Sequence, residues 1–342
     1  IQNTDLLQWV NNELGGYKSV VDLPDYRKNM GTYLKGNYTN GNMKYTNQPI
    51  PTIGMDEDFI DNLVDSAFNL PTTGAPPWGY WSYGDFTDYG TENDQFGYSV
   101  SISGDRILIG AHNDYDMGER AGSAYVFDYN GSSWNQSQKL IPADAERDDK
   151  FGCAVDLLGN RMLVSACQDD DLGDQSGSVY VFDFNGVSWS QKQKLNASDG
   201  AGDDWFGLSI SLSDDRALIA AKGDDDLGDD SGSAYIFDFD GSNWVETQKL
   251  IADDGVGNDL FSYSVSLSGN RALISARGDD DAGSASGSAY IFDYDGVNWT
   301  QTQKIIADDG AVLDVFGYSV GLSGDRLIVG ALQDDDDGPD SG

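Results

Sequence analysis

The chain has 342 residues, 58 of them acidic and 20 basic, for a formal net charge of −38. So large an excess of carboxylates argues against nucleic acid and anionic lipid as partners, since both are held by cationic surface, and it favours cations. No apolar run approaches the roughly 18 residues of a membrane-spanning helix, so no membrane insertion is expected.

Residues 1–90 do not repeat. Leu6, Val10 and Leu14 fall at helical spacing, with Thr4 or Asp5 available as N-cap and Gly15 as a stop, which predicts a short amphipathic helix. After it comes a polar stretch in which Tyr33 and the Asn40-Gly41 pair permit a hairpin. A second helix is predicted where Phe59, Leu63 and Ala67 lie beside Ile60, Val64 and Phe68, with acidic residues in its first turn and Pro71 at its end. The aromatic segment 76–90, PPWGYWSYGDFTDYG, reads as a strand leading into the first repeat or as an exposed patch for a partner. That the chain starts at Ile1 without a methionine fits an exported chain whose signal has gone.

From residue 91 the chain repeats with a fixed period of 55. Phe96, Phe151, Phe206, Phe261 and Phe316 are in register, as are Trp134, Trp189, Trp244 and Trp299. An invariant period of this length means one supersecondary unit stacked on its own copies. In each unit the hydrophobic period is two. Phe96, Tyr98, Val100 and Ile102 face one way and Gly97, Ser99, Ser101 and Ser103 the other, a strand with one bulky and one small face. A Ser-Gly-Asp turn leads to Ile107, Leu108 and Ile109, read as a strand buried on both sides. An acidic loop, a third strand SAYVFDY, a turn at Asn130-Gly131 and a fourth strand from Trp134 complete the unit; Gln136, Gln138 and Lys139 mark the fourth as the outer strand. Four strands with short connections describe one blade of a β-propeller, with a stacked solenoid as the competing architecture. The expected fold is therefore all-β, four full blades and a half blade, after a partly helical N-terminal segment.

The Phe-Gly pair that opens the unit, followed by Gly110-Ala111, Ser165-Ala166 or Gly330-Ala331, and the run GDDDLGDDSGSAYIFDFDGSNW resemble the FG-GAP repeats. The likeness covers residues 94–342 and implies a propeller of the kind found in extracellular surface proteins and integrin α chains. Three departures stand out: the Pro after Gly-Ala is missing, Phe261 is followed by Ser262, and a tight SGDR-like turn replaces the integrin calcium loop. The integrin calcium site is therefore not carried over.

The acidic residues are themselves periodic. Asp114, Asp169, Asp224, Asp279 and Asp334, with Asp116, Asp171, Asp226, Asp281 and Asp336, lie in the loop between the second and third strands. Between units lie Asp144, Asp199, Asp254 and Asp309, then Asp94, Asp149, Asp204, Asp259 and Asp314. In an up-and-down meander both sets emerge at the same end of the sheet. Carboxylates crowded there repel, by about 4 kcal/mol per pair at 4 Å and an effective dielectric of 20. One reading is that pairs from the loop, with Asp149, Asp204, Asp259 or Asp314 from the linker, hold Ca²⁺ among six to eight oxygens. The other is that these side chains cap Gly-rich turns.

Cys153 and Cys167 sit on strands expected to pair, and either form a cross-strand disulfide or are two small buried side chains. Sequons at Asn37, Asn130, Asn135, Asn196 and Asn298 fit an extracellular glycoprotein. His112 is the one histidine and its register position holds other residues elsewhere, so no enzymatic role is expected. Arg106, Arg161, Arg216, Arg271 and Arg326, one after each turn, read as structural, paired with a carboxylate or carbonyl. The fifth unit reaches Gly342 with its first two strands only; the N-terminal segment, another subunit or further sequence would complete it. The function expected is an extracellular structural glycoprotein that self-associates head to tail into a fibril. The alternative is a calcium-dependent adhesion module for protein or glycan.

Overall fold

The computed structural model describes residues 94–334. The two predicted helices, the hairpin at Asn40-Gly41, the aromatic segment 76–90, the sequon at Asn37 and Asp336 lie outside those residues.

Among the described residues every regular element is a strand, and each repeat folds into its own antiparallel sheet in chain order. The first sheet is β1 (Ser99–Ser103), β2 (Arg106–Ala111), β3 (Ser123–Tyr129) and β4 (Trp134–Leu140). The second is β5 (Phe151–Leu158), β6 (Arg161–Ala166), β7 (Ser178–Phe184) and β8 (Trp189–Leu195). The third is β9 (Phe206–Ser213), β10 (Arg216–Ala221), β11 (Ser233–Phe239) and β12 (Trp244–Leu250). The fourth is β13 (Phe261–Ser268), β14 (Arg271–Ala276), β15 (Ser288–Tyr294) and β16 (Trp299–Ile305). β17 (Phe316–Ser323) and β18 (Arg326–Ala331) form a two-stranded sheet. The repeated four-stranded units are consistent with propeller blades. No helix among the described residues is long and apolar enough to cross a membrane.

Period-two alternation decides which face each strand shows. Leu108, Ala124, Val126 and Leu140 of the first sheet join Phe151, Val155, Leu157, Met162 and Tyr180 of the second in one buried cluster. The same association joins the second sheet to the third and the third to the fourth. Each bulky first-strand face thus covers the opposite face of the sheet before it. The small face has a second use, because first strands stack through serine hydroxyls. Ser101 Oγ accepts the Leu157 N–H at 3.1 Å, and Ser209 and Ser211 accept those of Val265 and Leu267, each at 3.0 Å. In the second sheet Asp156 takes the serine's place: Ser101 Oγ donates to its Oδ1, and its Oδ2 accepts the Leu212 N–H.

Glycine is required where one sheet's loop meets the next sheet's first strand. At Gly122, φ is +83° and a Cβ would stand 2.1 Å from the Phe151 carbonyl oxygen. Gly177, Gly232 and Gly287 meet Phe206, Phe261 and Phe316 in the same way. The phenylalanine of each Phe-Gly pair is therefore set by a glycine of the preceding unit. Ser262, which stands where other units have glycine, adopts φ +70°. Its hydroxyl donates to the Ser233 carbonyl at 2.5 Å and accepts the Ala221 N–H at 3.1 Å.

Outer strands are tied by side chains that reach into the next sheet. The Gln138 amide makes two hydrogen bonds to the Trp189 backbone, 2.8 and 2.9 Å, and Gln193 and Gln248 do the same to Trp244 and Trp299. Arg106 pairs with Asp128 at 2.7 Å and lies over the Phe184 ring of the next sheet at 4.3 Å. Arg161 and Arg216 repeat both contacts, so these arginines have the structural role expected of them, with a cation–π contact added.

Candidate functional site

The loop between the second and third strands folds around its first aspartate. Oδ1 of Asp114 accepts the Asp116 N–H at 2.9 Å, and Asp169, Asp224 and Asp279 accept those of Asp171, Asp226 and Asp281 at 3.0–3.2 Å. This local bond is the turn-capping role aspartate commonly plays. Oδ2 points inward and accepts the hydroxyl of the third-strand tyrosine: Tyr125, Tyr180, Tyr235 or Tyr290, at 2.8–3.0 Å.

A lysine from the fourth strand enters the same cluster. Lys249 Nζ lies 2.8 Å from Asp199, 2.7 Å from Asp224 and 2.6 Å from Asp226. Lys304 meets Asp254, Asp279 and Asp281, and Lys194 meets Asp144, Asp169 and Asp171, at comparable distances. Lys139 is held by Asp114 and Asp116. Asp144, Asp199 and Asp254 come from linkers, so each ties its linker to the sheet after it. The loop and linker carboxylates do share one end of the sheet. Sequence reasoning misses the lysine, although Lys139, Lys194, Lys249 and Lys304 keep the 55-residue register.

The electrostatics come from burial and these bonds. Burial pushes the Asp114 carboxyl up, but hydrogen bonds from Lys139, the Asp116 N–H and Tyr125 outweigh it and hold it below the usual range. Asp144, Asp199 and Asp254 are likewise lowered, burial being overcome by their lysines. Lys139, Lys194, Lys249 and Lys304 are raised: burial opposes their charge and the carboxylates more than restore it. Burial moves the Tyr125 hydroxyl up to about 12, which keeps it a donor.

The oxygens fit a hard cation. Asp199, Asp224 and Asp226 offer carboxylate oxygens within 4.8 Å of one another, as do Asp254, Asp279 and Asp281. The same oxygens hold a lysine ammonium, so a metal ion there has to displace Nζ. Asp149, Asp204, Asp259 and Asp314 take a different place: each accepts a linker N–H three residues earlier, from Glu146, Ala201, Val256 and Ala311, at 2.6–2.8 Å. They are buried, and burial is the main reason Asp149 and Asp204 are each raised to about 6, with Asp169 and Asp224 adding to the effect. Asp334 and Asp309 occupy the equivalent positions of the last unit, where the described residues include no fourth strand.

Next to this end, where each first strand begins and each second strand ends, the units diverge. In the first sheet Tyr98 meets His112, ring centroids 4.0 Å apart. In the second the place is filled by Cys153 and Cys167, joined as a disulfide. In the third, Lys222 lies over Trp205 at 4.6 Å. In the fourth, Arg277 lies over Tyr263 at 4.0 Å, and Tyr263 meets Tyr318 of the last sheet at 5.4 Å.

Five stretches, residues 88–127, 134–182, 189–237, 244–292 and 299–342, match the model of the FG-GAP repeat. The chain belongs to the FG-GAP repeat family. Residues 1–72 are similar to a second family model, AbiTii. No curated protein matches the chain. Within these FG-GAP repeats the Phe-Gly step (Phe261-Ser262 in the fourth), the glycine before the third strand and the Asp–Lys–Tyr cluster recur from sheet to sheet, while the pair beside them does not.

Of the sequons, Asn130, Asn135 and Asn298 are exposed. The Asn196 amide instead donates to Ser178 Oγ at 2.7 Å.

Proposed function

We propose that this FG-GAP protein is an extracellular recognition or adhesion module without catalytic activity of its own. The observation that carries the reading is the contrast between a packed scaffold repeated in register and one rim whose residues change from unit to unit. Packing demands the same contact at every step, so it accounts for the repeated residues and leaves the rim to a ligand. The Cys153–Cys167 disulfide and the exposed sequons support an oxidising, extracellular address. A non-enzymatic role is supported by His112, whose imidazole is lowered to about 4 by burial and by Lys150 and is therefore a weak base at neutral pH. The test is binding of fluorescent protein to glycan and matrix-protein arrays, with saturable signal on at least one class expected. No saturable signal on either refutes the reading.

Calcium dependence is the finer part of this proposal. The clusters supply the oxygens, and lysine competes for them, so calcium-dependent binding should disappear with chelator and be strengthened by removing a cluster lysine.

Self-association is a second reading, supported by one exposed face. Val100 and Ile102 on β1 are both 64% exposed, whereas their counterparts Val155, Leu157, Ile210, Leu212, Val265 and Leu267 are all buried by the sheet before. A sheet from a second copy would bury them as the repeats bury each other. Light scattering should then register concentration-dependent oligomers that Ile102→Asp abolishes; monomers at every concentration refute it.

A further inference from the structure

We propose that the surface covering β1 is the β17–β18 sheet of a second copy of this chain, docked as each sheet docks on the next within the array. This rests on the self-association reading and names the partner surface, which makes the contact heterologous: each copy contributes a different face.

The apolar parts are the first support. A second-strand leucine of one sheet shares a buried cluster with the first-strand pair of the next: Leu108 with Val155 and Leu157, Leu163 with Ile210 and Leu212, Leu218 with Val265 and Leu267. Those leucines and Leu273 are fully buried. Ile328 of β18 holds the same place in the 55-residue register and is 73% exposed, while Val100 and Ile102 are each 64% exposed. The chain thus presents one uncovered second-strand residue and one uncovered first-strand pair, the two parts of every buried step.

Hydroxyl-to-amide pairing is the second support. Ser264 accepts the Val320 N–H at 3.1 Å, Ser266 that of Leu322 at 3.0 Å and Ser268 that of Gly324 at 3.1 Å. At the same spacing, Ser319 and Ser323 of β17, both exposed, pair with the N–H groups of Val100 and Gly104 of the second copy. The middle position is Gly321, so two of the three bonds are offered.

Charge is the third. Arg161 Nη1 donates to Asp215 of the next sheet at 2.8 Å and Arg271 Nη1 to Asp325 at 3.0 Å. Arg326 and Asp105 hold the equivalent places on the two uncovered faces; both are exposed, and neither forms an ion pair among the described residues. The strand ladder gathers the docking groups on one sheet, with Ser323 opposite Arg326 and Gly321 opposite Ile328. A symmetric contact between two β1 faces would cover Val100 and Ile102 but leave Arg326 and Ile328 bare.

The test is analytical ultracentrifugation of the full chain, in which wild type should gain mass with concentration. Ile328→Asp should weaken association about a hundredfold by removing a buried apolar contact. Arg326→Glu and Asp105→Arg should each weaken it about tenfold, an ion pair being replaced by a repulsion. Mixing these two charge variants in equal amounts, or combining both changes in one chain, should restore it, because opposite charges then meet at the junction. Melting temperature checks that each variant is folded, and every substituted side chain is exposed in the single copy. Failure of the mixture and of the doubly substituted chain to recover overturns the pairing of the two faces. If Ile102→Asp abolishes association while Arg326→Glu and Ile328→Asp leave it unchanged, another surface covers β1: this inference fails and the self-association reading stands. Monomers at every concentration refute both.

Discussion

Replacing Lys249 with methionine tests whether the ammonium holds the acidic end together. Its Nζ lies within 2.8 Å of three carboxylates, of which Asp224 is 6% exposed while Asp199 and Asp226 are 47% and 51% exposed. Removing one partner of a buried pair leaves an uncompensated charge and costs about 3 kcal/mol. The two half-exposed carboxylates are screened by solvent and add about 0.5 kcal/mol each. For a protein of this size each kcal/mol lowers the melting temperature by about 2–4 °C, so a fall of about 10 °C is expected. The pH dependence has a defined sign. Asp199 is depressed below its ordinary 3.8, so its contribution is present above that value and is lost as pH falls through the lower folded value. Lys249 is raised above its ordinary 10.5, so its contribution is complete below 10.5 and is lost only as pH rises through the higher folded value. The difference between wild type and Lys249→Met should therefore be a plateau from about pH 4 to pH 10 that shrinks in acid. Urea unfolding across this range, repeated with millimolar Ca²⁺, is the assay. Calcium should stabilise the variant, whose three carboxylates have lost their cation, more than wild type. A loss under about 1 kcal/mol at pH 7, too small for an unpaired buried carboxylate, refutes the reasoning.

Two more outcomes are expected from burial and from the backbone. Asp204 is raised to about 6, mainly by burial, so its stabilising contribution is complete below 3.8 and is lost as pH rises through 6. Wild type should gain stability on acidification from pH 7 to 5, and Asp204→Asn should flatten that gain and stabilise at pH 7 by on the order of 1 kcal/mol; a steeper acid gain in the variant would contradict it. Asp214 opens the third sheet's first turn at φ +53°, where Gly104, Gly159, Gly269 and Gly324 stand at +57° to +60°. Asp214→Gly should therefore stabilise by about 0.5 kcal/mol, read as a higher urea midpoint, and a lowered midpoint would count against strain at that turn.

The strands and the acidic end are legible in the sequence because both are local or periodic: alternation marks a strand within eight residues, and a 55-residue register survives any loop. What the pattern leaves hidden depends on reach between sheets. Lys139 and Gln138 read as polar residues of an outer strand, yet their ends lie in a carboxylate cluster and on the Trp189 backbone. The serine face reads as small, for close approach, while its hydroxyls accept the next strand's N–H groups. The cysteine pair stays open in the sequence because the register shift between Phe151 and Val155 decides what faces Cys167. No alternation pattern encodes such a bulge. A sequence signal for the lysine does exist: Asp, Tyr and Lys keep one register through all four complete units.

Four of the repeated side-chain contacts between sheets run the same way along the chain, while the Ser262 hydroxyl reaches back to the third sheet. Serine hydroxyls of one first strand serve the next, Gln138 holds the tryptophan of the sheet ahead, Arg106 covers that sheet's aromatic pair, and Asp199 leaves its linker to bind Lys249. Each unit is thus fixed by its two neighbours through residues that must be the same at every step. The pair at the rim takes no part in those contacts, and the ways it is filled, as ring on ring, disulfide, or cation on aromatic, leave the scaffold around it unchanged. Freedom to vary at that place is what separates these positions from the packing positions of this array.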